Sequence, residues 1–205
     1  MHIMFVCTGN ICRSPMGELL LSRYLANTTV QVTSAGTRGL HMHQIDPSSA
    51  RMLDSVGIDS SGFRSRRLTR EMAESADLIL CFETAQRNQI VTLAPAAVRY
   101  TFQLNDFANM CEYAARNGLV RGLTIQDRLQ SVIDASSYIR PLVEAPKDIA
   151  DPIGRDISAF RQAAEETNRA LRTMLASMRK HYRVEAAPER PQLVRPDFDS
   201  LISAN

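Results

Sequence analysis

Val6-Cys7-Thr8-Gly9-Asn10-Ile11-Cys12-Arg13-Ser14-Pro15 sets a cysteine and an arginine on either side of a five-residue loop. Thiolate is the nucleophilic form of cysteine, and a guanidinium offers a planar fork of donors suited to two phosphoryl oxygens. An apolar run, Ile3-Met4-Phe5-Val6, precedes the loop, and a helical pattern at Met16, Leu19, Leu20 and Tyr24 follows it. A strand, a tight loop and a helix opening at Ser14-Pro15 aim loop N–H groups and the positive end of a helix dipole at one point. The predicted chemistry is attack of the Cys7 sulfur on phosphorus, with Arg13 clamping the oxygens as charge spreads over them. Gly9 lets the backbone fold tightly, and Asn10 holds the loop through side-chain hydrogen bonds. Ser14 caps the helix, donates to the thiolate, or does both. Thr8, Gly9, Asn10, Ile11, Cys12, Arg13 and Ser14 form the expected phosphate-binding set.

Cleavage of an aryl phosphate also needs a general acid, because phenolate leaves poorly without a proton. Asp151, directly before Pro152, is the candidate acid, and would then serve as base for the water that hydrolyses a cysteinyl-phosphate. Asp-Pro is also an ordinary turn, and the residues alone leave both roles open. Asp148 and Asp156 flank it without a following proline. Cys12 shares the loop with Cys7; a reversible disulfide between them would shield the nucleophile from over-oxidation. Zinc fits poorly, for the spacing is wrong and two further ligands are missing. His2, His41, His43 and His181 are scattered, and none is assigned a catalytic part.

These parts need a frame to hold them. Short apolar runs at Ile3–Val6, Val30–Ser34, Leu78–Cys81 and Val98–Tyr100 read as strands. Helical patterns lie between them at Met16–Leu25, Pro47–Val56, Arg70–Ser75 and Thr84–Leu93, with Thr69 as an N-cap and Gly57 as a stop. Such alternation predicts an α/β fold in three layers, a four-stranded parallel sheet with helices on both faces and ligands at the carboxyl ends of the strands. Cys7 falls at such an end. Residues 102–147 read as a helical insertion, with helices over Asn105–Asn117 and Thr124–Ile133 and a loop at Ala145-Pro146-Lys147. Leading straight into the Asp151 loop, it is expected to form a wall or lid beside the site. Ser158–His181 is a long final helix with Phe160, Ala164, Ala170, Leu171, Met174, Leu175 and Met178 inward. The expected domain is 1–182, followed by a Pro-containing disordered tail over 183–205.

A chain of 205 residues has room for one full core. A formal net charge of +2 favours neither a nucleic-acid partner nor a membrane surface. No apolar stretch is long enough to span a bilayer. The start of the chain runs directly into the first strand, and Cys7, Cys12, Cys81 and Cys111 lack the dense spacing of a secreted disulfide framework, so the expected setting is cytoplasmic.

Cys7 to Pro15 is similar to the signature loop of the low-molecular-weight protein tyrosine phosphatases, which pair it with a distant Asp-Pro, here Asp151-Pro152. Ser34-Ala35-Gly36-Thr37, Ser65-Arg66-Arg67-Leu68-Thr69 and Ala76-Asp77-Leu78-Ile79-Leu80-Cys81 resemble that family in order, over most of 1–100 and 148–180. The resemblance implies phosphotyrosine hydrolysis through a cysteinyl-phosphate, by Cys7, Arg13 and Asp151, without metal or organic cofactor. By analogy the partner is a phosphotyrosine-containing protein, such as a bacterial-type tyrosine kinase or a protein of polysaccharide export. The chain departs from the pattern at Phe63, where relatives often carry histidine. It departs again at Ile153-Gly154, where many have aromatics that wall the phosphotyrosine ring; Leu40, His41 and Met42 are the expected opposite wall. Ile11 stands where relatives acting on phosphoarginine tend to have threonine. Phosphoarginine or small aryl phosphates are the alternative substrates. An arsenate reductase would need a relay that Cys81 and Cys111 do not obviously supply, and a non-catalytic phosphate-binding module would not need nucleophile, arginine and acid together.

Overall fold

The computed structural model describes residues 1–179. Four strands, β1 (His2–Cys7), β2 (Gln31–Gly36), β3 (Leu78–Cys81) and β4 (Thr101–Gln103), form one sheet in the order β2-β1-β3-β4. Every pairing is parallel. The connections carry α1 (Arg13–Tyr24), α2 (Pro47–Asp54), α3 (Arg70–Glu74) and α4 (Thr84–Leu93). After β4 come α5 (Leu104–Arg116), α6 (Ile125–Ile139) and α7 (Ile157–Ser177).

The period of two along β1 sorts its side chains between two layers. Ile3 and Phe5, with Leu78 and Leu80, join the large core under α1, α5 and α7, while Met4 and Val6 join a smaller one with Leu68, Ala73 and Ile90. Both faces of the sheet are covered, as the α/β pattern predicts. Thr69 caps α3 by accepting from Met72 N at 3.2 Å, and Gly57 takes a left-handed φ of 70° beyond α2.

One expectation about the second half needs correction. The fourth strand is Thr101–Gln103, not Val98–Tyr100; Pro95–Tyr100 is a 3-10 helix. Pro95 fits the first position of a helical turn, and Thr101 is pinned by donating to Ala97 O at 2.7 Å. Val98 faces outward there, so its β-branched character misled the strand assignment. Residues 102–147 also do more than the expected wall or lid would require. Leu104, Phe107, Met110, Cys111 and Ala114 on α5 are buried in the main core, as are Leu129, Val132 and Ile139 on α6. Thr124 and Asp127 close a capping box on α6, and Arg140 pairs with the buried Asp106 at 2.8 Å, tying the end of α6 to α5. The apolar face of the segment is part of the main core. The final helix starts at Ile157, capped by Asp156, and ends at Ser177; His181 and the 183–205 tail fall outside the described residues.

Phe107 is fully buried and its ring lies 5.3 Å from that of Phe102 on the last strand. Phe107→Ala is expected to destabilise the fold by about 3–5 kcal/mol through lost burial and a residual cavity. An unfolding free energy from denaturant titration within about 1 kcal/mol of the parent would place α5 outside the core after all.

Candidate active site

Cys7 is the last residue of β1 and Arg13 the first of α1, so the loop between them is fixed at both ends by regular structure. Cys12 stands at the N-cap and its side chain makes no capping bond. The first N–H groups of α1 therefore remain available to the loop, as an anion site requires. The left-handed residue is Asn10, with φ of 57°; Gly9 does not take a positive φ. Asparagine tolerates that conformation better than most residues, and here its side chain secures it. Asn10 Oδ1 accepts from Arg66 N at 2.8 Å, while Nδ2 donates to Ser34 Oγ at 2.8 Å and to Ser14 Oγ at 2.9 Å. The glycine that this loop needs is Gly36 at the end of β2. A Cβ there would meet Thr8 O at 2.6 Å and Asn10 N at 2.9 Å.

Ser14 does not cap α1, which removes one of its two expected roles. Its Oγ lies 3.0 Å from Cys7 Sγ and 3.4 Å from Ala35 O. Ser14 Oγ accepts from Asn10, and its own proton lies within reach of both the sulfur and the Ala35 carbonyl. Asn10 N donates to the same sulfur at 3.3 Å. Cys7 thus lies buried between two hydrogen-bonding partners.

Arg13 is 2% exposed, unusually low for a guanidinium, and its partners account for that. NH1 donates to Glu83 and, at 2.8 Å, to Ile149 O. NH2 pairs with Asp151 Oδ2 at 2.7 Å. The guanidinium also sits over the Phe82 ring, 5.9 Å from its centroid. Nε is buried and has no partner, a donor left over on the side that the carboxylates do not use. The Arg13–Asp151 pair brings the downstream Asp-Pro to the loop.

The neighbouring carboxylates are committed elsewhere. Asp148 accepts from Thr84 N at 3.1 Å and from Gln103 Nε2 at 2.5 Å, pinning the start of α4 to the end of β4. Asp156 accepts from Ser158 Oγ and Ala159 N, which hold it below the usual carboxylate range. Asp151, 41% exposed at its side chain, is the one facing the guanidinium.

Sequence reasoning missed Glu83, Gln86 and the Ile149 carbonyl. Gln86 donates to Thr8 Oγ1 at 3.3 Å. The signal was available: Glu83 follows the carboxyl end of β3, where open parallel sheets place ligand-handling residues. Behind the loop, where relatives were expected to use a histidine, the hydrogen bonds come from Ser34 and the Arg66 backbone; Phe63 packs instead against the large core. The expected ring walls, Leu40, Met42 and Ile153, are all substantially exposed. Cys12 is buried. Burial pushes its thiol up to about 12, against the Ser49 hydrogen bond and with help from Asp46, Cys7 and Asp151.

A thiol at the carboxyl end of a parallel strand, a helix-opening arginine and a returning Asp-Pro place the chain in a known class. Residues 2–119 match the low molecular weight phosphotyrosine protein phosphatase family, and the chain belongs to it. The chain is 45% identical over 93 residues to the low molecular weight protein-tyrosine-phosphatase Etp of Escherichia coli (strain K12), 45% of this chain and 62% of Etp. That match therefore spans less than two thirds of Etp. With the probable low molecular weight protein-tyrosine-phosphatase EpsP of Ralstonia nicotianae it shares 31% over 169 residues, 82% of this chain and 90% of EpsP. Among solved structures, the tyrosine phosphatase Wzb from Escherichia coli K30 in complex with sulphate superposes with a TM-score of 0.62 at 27% identity, covering 83% of this chain and 93% of Wzb. The arginine phosphatase YwlE from Geobacillus stearothermophilus reaches 0.65 at 27%, covering 86% and 92%.

Proposed function

We propose that this protein is a protein tyrosine phosphatase that hydrolyses phosphotyrosine through a cysteinyl-phosphate. The observation that carries the reading is the Arg13–Asp151 contact at 2.7 Å, which sets a candidate acid beside a loop that already holds a buried, hydrogen-bonded thiol. The Cys7 sulfur attacks phosphorus in line as the aryl oxygen departs. Backbone N–H groups of Thr8 to Ser14 and the Arg13 guanidinium receive the equatorial oxygens, whose charge grows in the transition state. Asp151 protonates the leaving phenol oxygen. The resulting carboxylate then takes a proton from the water that attacks the Cys7–phosphate bond, and phosphate and thiolate are released.

Ile11 in the loop and the likeness to the protein-tyrosine-phosphatases Etp and EpsP favour phosphotyrosine. The likeness to YwlE keeps phosphoarginine as the second substrate class. Arsenate reduction is disfavoured because Cys81 and Cys111 are fully buried and burial pushes both thiols up, Cys81 to about 12. The partner in this reading is a phosphotyrosine-bearing protein, a bacterial-type tyrosine kinase being the nearest analogy, in the cytoplasm. Among the described residues no helix is long and apolar enough to cross a membrane. Steady-state turnover of phosphotyrosine, phosphoarginine and arsenate measured side by side tests the assignment. A kcat/KM for phosphoarginine above that for phosphotyrosine would overturn it.

Glu83 acts in this scheme as a positioning residue, fixing one arm of Arg13 while Asp151 and substrate use the rest. Glu83→Ala is expected to lower kcat/KM for aryl phosphates by about 10-fold to 100-fold, the scale of a misplaced clamp. Glu83→Gln, which keeps an acceptor, should recover most of it. Equal losses in the two variants would point to bulk destabilisation instead.

Peroxide converts a Cys7 thiolate to the sulfenic acid, and condensation with the Cys12 thiol then gives a disulfide and water. Cys12 must lose its proton in that step. Its high pKa makes disulfide formation slow at neutral pH and faster as pH rises. Treated enzyme should recover with thiol reductant, and Cys12→Ser should pass to irreversible loss sooner. Identical recovery of the two proteins would remove Cys12 from the redox chemistry.

A further inference from the structure

We propose that a cleft beside the phosphate loop is a docking subsite for a carboxylate side chain of the protein substrate, flanking its phosphorylated residue. The proposal rests on the phosphatase reading above. The cleft has a volume of about 400 Å³ and is lined by Thr37, Arg38, Arg67, Leu68, Gln89 and Leu93. It adjoins the catalytic loop directly. Thr37 N donates to Cys7 O and Arg38 N to Thr8 O, both at 2.9 Å, and the opposite wall is α4, whose Gln86 reaches Thr8.

Charge decides what the cleft can hold. The segment Arg64 to Arg70 carries four arginines, and three have visible tasks. Arg64 donates to the Ser61 and Phe63 carbonyls, Arg66 Nε to Ser34 O at 2.7 Å, and Arg70 pairs with Glu74. Arg67 and Arg38 are exposed, and neither forms an ion pair with a carboxylate among the described residues. Thr37 Oγ1 is buried without a hydrogen-bond partner. Two unpaired guanidinium groups and a spare hydroxyl, over a floor of Leu68 and the part-exposed Leu93, fit an acidic side chain with a short aliphatic stem. A basic rim next to the cradle would also steer acidic segments toward it.

The test uses two phosphotyrosine peptides that differ only in glutamate or glutamine at the flanking positions. The parent enzyme is expected to favour the glutamate peptide about tenfold in kcat/KM at low ionic strength, with the preference shrinking as salt rises. The double variant Arg38→Gln/Arg67→Gln should lose that preference, while turnover of a small aryl phosphate changes by less than about threefold. Affinity of both peptides for Cys7→Ser protein, measured by calorimetry, gives the same comparison without turnover. A parent that treats the peptides alike, or a double variant that keeps the preference, overturns the subsite and leaves the phosphatase reading standing. A parent that hydrolyses no aryl phosphate overturns the phosphatase reading, and the calorimetric comparison still decides the subsite.

Discussion

Cys7→Ser is expected to remove turnover by a factor of about 10⁴ or more while leaving oxyanion binding nearly intact. The two halves of that expectation come from different atoms. Turnover depends on sulfur as the attacking atom, and a serine hydroxyl in the same place is a far weaker nucleophile. Binding depends on the loop amides, the open N-terminus of α1 and Arg13, of which only the Asn10 amide touches the substituted atom. Serine Oγ can still take the Ser14 and Asn10 hydrogen bonds that now go to sulfur, so the loop geometry has no reason to change. Calorimetric titration with inorganic phosphate, alongside steady-state hydrolysis, reads both quantities. Residual turnover within about 100-fold of the parent would remove Cys7 from the nucleophilic step. Lost phosphate binding with normal thermal unfolding would mean that the thiolate itself shapes the cradle.

The parts of this site that are adjacent in sequence were legible there from residue type and spacing; of those that converge by folding, Asp151 was reached through the family resemblance and Glu83 and Gln86 were not. Cys7, Arg13 and the loop between them stand in one uninterrupted strand–loop–helix, so residue type and spacing alone placed them. Gly9 and Ser14 show where local reasoning goes astray. A glycine in a tight loop suggests a positive φ, yet Asn10 takes it because Ser34, Ser14 and the Arg66 amide hold its side chain from three directions. Serine at a helix entrance suggests a cap, yet its hydroxyl is drawn to a sulfur that the strand delivers. Glu83 was missed for the opposite reason: nothing near it in the chain marks it as an arginine partner until β3 lies beside β1. The same holds for residues 102–147. Their helical periodicity was plain, but which surface the apolar face covers is a tertiary fact, and α5 spends it on the core. The sheet itself was the easiest element to read, except where a buried threonine at Thr101 outweighed the β-branched Val98.

Asp151→Asn should slow hydrolysis of an unactivated aryl phosphate by a factor of about 10² to 10⁴, the usual worth of a general acid. The loss should shrink toward unity as the leaving group becomes acidic enough to depart without a proton. This substitution isolates the proton. Asparagine retains one oxygen, enough to accept from Arg13 NH2 at the cost of the 3.2 Å bond that Ile153 N now donates to Asp151 Oδ1. The neighbouring carboxylates give the control. Asp148 spends Oδ1 on Thr84 and Gln103, and Asp156 caps α7, a task asparagine performs equally well. Asp148→Asn and Asp156→Asn are therefore expected to leave the dependence on leaving-group acidity unchanged, whatever they do to stability. Rates for a series of aryl phosphates of graded phenol acidity, measured on the three variants and the parent, give the comparison. A slope that steepens in Asp148→Asn or Asp156→Asn but not in Asp151→Asn would move the acid to that residue. A slope that steepens in none of them would mean that the leaving oxygen takes its proton from outside this cluster.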